Sequence, residues 1–101
     1  MFKELNPILH SELRLGVMSI LISVESADFT YIRKQTGTTA GNLSVQIEKL
    51  KEAGYIDVTK SFKGKMPCTT CKITQQGIEA FQQYIDALQS YLHPEQHKKE
   101  E

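Results

Sequence analysis

Residues 38–74 read TTAGNLSVQIEKLKEAGYIDVTKSFKGKMPCTTCKIT, and the hydrophobic period changes partway along them. Thr38-Thr39 offers a helix cap. From about Ala40 to Ala53 the residues Ala40, Leu43, Ile47 and Leu50 are spaced three, four and three, the pattern of one helical face. Gly54 ends that helix. Beyond it the pattern alternates. Tyr55-Ile56-Asp57-Val58-Thr59-Lys60-Ser61-Phe62 puts Ile56, Val58 and Phe62 near one side of a strand. Lys63-Gly64-Lys65-Met66-Pro67 is a turn with two bases, and Cys68-Thr69-Thr70-Cys71-Lys72-Ile73-Thr74 returns as a second strand. Residues 55–74 are therefore expected to form a two-stranded hairpin with a basic tip, entered directly from a helix.

Upstream, Asp28-Phe29-Thr30 opens a shorter helix capped by Asp28 or Thr30, with Phe29, Ile32 and Thr36 on one face and Gly37 at its end. Its span with the next helix is 28–54. Asn6-Pro7 is a good start for a first helix over 7–24, because Asn caps and proline fits the first turn, where its missing N–H costs nothing. Leu9, Leu13, Val17, Ile20 and Val24 form one stripe, and Ile8, Leu15, Met18 and Ile22 run beside it. Downstream, Thr74 caps a last helix over 75–92. Ile78, Phe81, Ile85, Leu88 and Leu92 make a heptad-type seam, with Ala80, Tyr84, Ala87 and Tyr91 alongside. Such wide apolar surfaces exceed what one small core needs. The terminal helices are expected to pack on their own domain and on something else. Residues 93–101 are expected to be a flexible polar tail.

The order helix, helix, helix, hairpin, helix defines an α+β, mainly α, fold in one domain over 1–92. At 101 residues the chain has the size of a single domain, and a second, enzyme-sized lobe is not expected. Its longest apolar stretch, Val17 to Val24, is broken by Ser19 and Ser23 and falls short of the roughly 20 residues a bilayer needs. Met1-Phe2-Lys3-Glu4 lacks the layout of a signal peptide, and two cysteines are too few for a disulfide scaffold. The expectations are a cytoplasmic protein with no membrane partner.

Twelve bases balance twelve acids, yet the charge is uneven. Residues 1–32 carry net −2, residues 33–72 net +5 and residues 73–101 net −3. The middle segment holds Arg33, Lys34, Lys49, Lys51, Lys60, Lys63, Lys65 and Lys72 against Glu48, Glu52 and Asp57. Binding follows the local field, so a basic middle points to a polyanion despite the neutral total. A solvated surface with a chance imbalance is the alternative.

Two short helices joined through a glycine-containing turn are a helix-turn-helix unit, and a basic hairpin directly after the second helix is a wing. Opposite the inward stripe of the third helix lie Gly41, Asn42, Val45, Lys49 and Glu52, with Gln46 at the margin. Asn42 can pair with an adenine edge, Val45 can touch a thymine methyl, and Gln46 can reach a base. Gly41 lets the helix start approach a phosphate, to which backbone N–H groups and the Thr39 hydroxyl can donate. Lys60, Lys63 and Lys65 on the hairpin and Lys34 on the second helix suit phosphate contact. An ordinary exposed helix and lysine-bearing turn is the plainer reading of the same residues.

Three runs carry a family resemblance: Phe29-Thr30-Tyr31-Ile32-Arg33, Thr39-Ala40-Gly41-Asn42-Leu43-Ser44 and Lys49-Leu50-Lys51-Glu52-Ala53-Gly54-Tyr55-Ile56. With them the chain resembles a winged-helix transcriptional regulator, of the small MarR/ArsR-like type that is little more than the DNA-binding domain. Leu13-Arg14-Leu15, the Lys60–Pro67 wing, Thr69-Thr70 and Ile73-Thr74-Gln75-Gln76-Gly77-Ile78 continue the match over residues 8–92. The resemblance implies double-stranded DNA as partner, with the third helix in the major groove and a wing flanking it. It also implies a homodimer made by the first and last helices. Ile8, Leu15, Met18, Ile22, Phe81, Tyr84, Ile85, Leu88, Tyr91 and Leu92 would form the interface. A near-palindromic site follows from two-fold symmetry. Relatives of this type often carry arginine around Cys68, and here that base is absent.

Other chemistry finds less support. Cys68-Thr69-Thr70-Cys71 is a CxxC, and His93 and His97 are an HxxxH pair. Strand positions three apart point to opposite faces, which disfavours both a zinc knuckle and a direct disulfide. A redox switch would need a low-pKa thiol, with Lys65 or Lys72 to lower it. No P-loop, dinucleotide fingerprint or nucleophile motif is present, so neither an enzyme nor a cofactor is expected. The competing functions are a winged-helix protein-interaction module and a repressor responding to thiol oxidation or to an unknown small-molecule effector.

Overall fold

The computed structural model describes residues 2–94 and contains four helices and one three-stranded antiparallel sheet. α1 spans Glu12–Val24, five residues later than expected from Asn6-Pro7. Asn6 does cap, but only a single turn: its side-chain oxygen accepts from the Ile8 and Leu9 N–H groups at 2.8 and 3.4 Å. A continuous helix would give the Ile8 carbonyl to the residue 12 amide. Here Arg14 Nε donates to it instead, at 2.6 Å, and Ser11, in extended conformation, becomes the cap of α1.

After α1 the chain forms β1, Ser26–Asp28, a strand that the sequence pattern does not predict. Its register on the third strand is Ser26 opposite Lys72, Ala27 opposite Cys71 and Asp28 opposite Thr70. Three residues are too few to show a period of two, so this edge strand left no sequence signal. α2, Phe29–Thr36, is capped by Asp28 and stopped by Gly37 in left-handed conformation. α3, Ala40–Glu52, starts at the Thr39 cap. β2, Ile56–Lys63, and β3, Met66–Ile73, form the wing around the two-residue turn Gly64-Lys65, with Gly64 at φ +62°. A positive-φ glycine at the first turn position suits a tight hairpin loop. The sheet order is β1-β3-β2, so it is three-stranded where a two-stranded hairpin was expected. α4, Gln75–Leu92, is capped by the Thr74 hydroxyl, which accepts from the Gly77 N–H at 2.9 Å.

The core joins Leu9, Val17, Met18, Leu21, Ile32, Leu43, Ile47, Leu50, Ile56, Cys71 and Ile73. A side chain of leucine or isoleucine size gains roughly 1.5–3 kcal/mol on burial, so Leu43, Ile47 and Leu50 hold α3 by one face. Ala40, expected in that stripe, is exposed, because it sits at the helix start beyond the core. Phe62 shares the inward face of β2 but lies past the core and is exposed.

Spacing alone left open which of the two stripes of α4 turns inward, and the small-residue stripe does. Its buried line is Gly77, Ala80, Tyr84, Ala87 and Ser90. Small residues let the helix approach closely, and a Cβ at Gly77 would lie 2.1 Å from the Tyr55 carbonyl oxygen. The larger seam stays outside: Ile78, Phe81 and Leu88 are half-buried, while Ile85 and Leu92 are 36% and 63% exposed. Two residues assigned to an interface with a second copy are internal instead. Met18 is 0% and Tyr84 4% exposed, and Tyr84 bonds His10 Nδ1 through its hydroxyl at 3.0 Å. Both fill the domain's own core.

Candidate nucleic-acid interface

With Leu43, Ile47 and Leu50 turned inward, α3 presents Gly41, Asn42, Val45 and Lys49 to solvent. Val45 is 52% exposed, an apolar side chain at the centre of a polar face. Thr39 is extended and caps α3 by accepting from the Asn42 N–H at 3.2 Å. Accepting leaves its hydroxyl proton free to donate outward. A Cβ at Gly41 would meet nothing within 4 Å, so the fold itself has no need of glycine there.

Gln46 is half-buried and tied inward. Arg14 Nη1 donates to its Oε1, and its Nε2 donates to Asn42 Oδ1 at 3.2 Å. Asn42 Nδ2 in turn donates to Thr38 Oγ1 at 3.1 Å. Asn42 and Gln46 thus act together, a pairing that helical spacing of four permits. The sequence marks Thr38 only as part of a cap and Arg14 only within the Leu13-Arg14-Leu15 match, and places neither in this site. The link between Arg14 and Gln46 joins residues 32 apart in the chain, and no local pattern carries it.

Lys34, Lys60, Lys63 and Lys65 are exposed, and none of them forms an ion pair among the described residues. Lys34 lies in the last turn of α2, and the other three line the wing. Arg33 belongs with them: its Nε donates to the Thr38 carbonyl at 3.4 Å, which holds it beside the N-terminus of α3. The signal for Arg33 was its place in the last turn of α2, next to Lys34. A concavity of about 600 Å³, open to solvent, lies between α1 and the α2–α3 turn, with Glu12, Gly16, Thr38 and Asn42 on its walls.

The cysteines split as strand geometry requires: Cys71 is buried and Cys68 half-buried. Burial pushes the Cys71 thiol up to about 11, the opposite of what a thiolate sensor needs. Among the described residues no group of three or more His, Cys, Asp or Glu side chains is arranged to hold a metal, and His97 lies outside those residues. Residues 95–101 of the expected tail lie outside them too. No helix of the described residues is long and apolar enough to cross a membrane.

A helix pair with an outward second helix, followed by a basic hairpin, defines a winged helix-turn-helix protein. The family model described as a winged helix DNA-binding domain matches residues 13–92, and the chain belongs to that family. It is 35% identical over 79 residues to the uncharacterized protein MJ0432 of Methanocaldococcus jannaschii, covering 77% of this chain and 85% of that one. A transcriptional regulator homologue from Pyrococcus horikoshii matches with a TM-score of 0.79 and 30% identity, over 84% of each chain. A mutant MarR of E. coli, solved with operator DNA, shares the fold at a TM-score of 0.70 and 17% identity, over 92% of this chain and 66% of that one. The fold is that of the MarR-like transcriptional regulators.

Proposed function

We propose that the protein is a sequence-specific transcriptional regulator that binds duplex DNA as a homodimer. The observation that carries this reading is α3, packed by one face and open on the other, with Asn42, Val45 and Lys49 exposed. Asn42 and Gln46 are the base readers and Val45 the methyl contact. Thr39 and the N–H groups around Gly41 take one phosphate, where the positive end of α3 favours an anion. Lys49, Lys34, Lys60, Lys63 and Lys65 neutralise neighbouring phosphates and make binding salt-dependent. The MarR relative solved with operator DNA supports duplex DNA as the ligand class.

The outer seam of α4 supports the second copy. Phe81, Ile85, Leu88, Tyr91 and Leu92, with Ile8, Leu15 and Ile22 from the N-terminal region, supply its apolar surface; Met18 and Tyr84 do not take part. Two-fold symmetry then sets two reading helices against two half-sites.

Selection of bound duplexes from a random pool at physiological salt tests this. The expected product is a near-palindromic consensus with half-site centres about 10 base pairs apart. Absence of any enrichment would refute DNA reading and leave a winged-helix module that binds protein.

A further inference from the structure

Four side chains form one hydrogen-bonded line from α1 to the outward face of α3. Arg14 is half-buried and anchored by Nε on the Ile8 carbonyl at 2.6 Å. Its Nη1 donates to Gln46 Oε1, Gln46 Nε2 donates to Asn42 Oδ1, and Asn42 Nδ2 donates to Thr38 Oγ1.

The line has a direction, and its origin is chemical. A guanidinium can only donate. Gln46 must therefore turn its oxygen to Arg14, which leaves its nitrogen facing Asn42. Asn42 must then offer its oxygen to Gln46 and its nitrogen to Thr38, whose hydroxyl can accept. A primary amide has two acceptor sites and two N–H donors. After these bonds Asn42 still holds one of each, the pair that a bidentate adenine contact requires. A reversed amide would exchange donor and acceptor and match that edge poorly.

We infer that Arg14 is a positioning residue for base recognition. It acts through Gln46 and sets which end of the Asn42 amide faces each partner. This inference rests on the DNA-reading function proposed above and adds to it a specificity determinant outside the helix-turn-helix unit.

The test uses the full chain and its selected operator, with each base pair changed in turn. Wild type, Arg14→Met, Gln46→Leu, the double variant and Asn42→Ala are compared for affinity, salt slope and melting temperature. Asn42→Ala identifies the base pair that Asn42 reads. Arg14→Met is expected to lower discrimination at that same pair by about fivefold, the low end of what a bidentate contact is worth. The salt slope should not change, because no phosphate contact is lost. Adding Arg14→Met to Gln46→Leu should cause no further loss at that pair, since the line is already cut. A folded Arg14→Met protein with wild-type discrimination would overturn the inference. So would a loss spread evenly over all base pairs, which is the mark of a merely structural role. If Arg14→Met does not fold, Gln46→Leu decides: unchanged discrimination at the Asn42 pair refutes the line. If wild type itself prefers no base, the proposed function fails, and that result is distinct from the others.

Discussion

Gly41 and Gly77 are both helical glycines, and only one is required by the fold. A Cβ at Gly41 points into open space. Alanine there should stabilise α3 by about 0.5 kcal/mol, since glycine carries an entropic cost in a helix. The same methyl would stand between the helix start and a phosphate. Gly41→Ala is therefore expected to raise the melting temperature slightly while weakening every duplex several-fold, checked by thermal denaturation and titration of one operator. A stabilised variant with unchanged affinity would remove Gly41 from the interface. Single-residue chemistry was readable from the sequence where it depended on type and parity. Cys68 and Cys71 are three apart on a strand, so their separation onto two faces followed directly. That burial would raise the Cys71 thiol needed the position of the core.

Among the elements, α4 shows most clearly what packing adds. Its two stripes were visible as spacings, but spacing does not say which stripe turns inward. The small-residue line does, because Gly77 lets the helix rest on the Tyr55 carbonyl. A Cβ there would lie 2.1 Å from that oxygen and 3.1 Å from Ile73 Cγ1. Gly77→Ala should therefore destabilise the domain, by at least the ~1–3 kcal/mol typical of overpacking. At roughly 4–8 °C per kcal/mol for a domain of this size, the melting temperature should fall well outside error. An unchanged value would show that α4 can shift without penalty. α1 and β1 differ from expectation for a related reason. The start of α1 depends on Arg14 capturing the Ile8 carbonyl, and β1 exists only because β3 offers it an edge.

On the scale of the whole molecule, a neutral chain concentrates its positive charge beside one helix and along one hairpin. That arrangement would orient the domain on the proposed DNA partner without needing a basic total. The apolar seam of α4 stands on the outside, where the proposed second copy would pack. Ile85, already 36% exposed, is the place to test it. Ile85→Asp should shift the protein from dimer to monomer by light scattering, with its circular dichroism intact. Binding to a two-half-site operator should fall far more than binding to one half-site, because the second contact is no longer tethered. A variant that remained dimeric would place the interface elsewhere.

The order of helices and hairpin, the Thr74 cap and the outward set on α3 were legible in the sequence, which also narrowed two further caps to Asp28 or Thr30 and to the pair Thr38-Thr39. Those features depend on periodicity and on residues within four positions of one another, and local physics settles them. That Met18 and Tyr84 are internal, that a third strand joins the sheet and that Arg14 reaches Gln46 came from the packing of distant segments. Each of these joins residues far apart in the chain. Such contacts are chosen by how whole elements fit together, and no window of sequence contains that information.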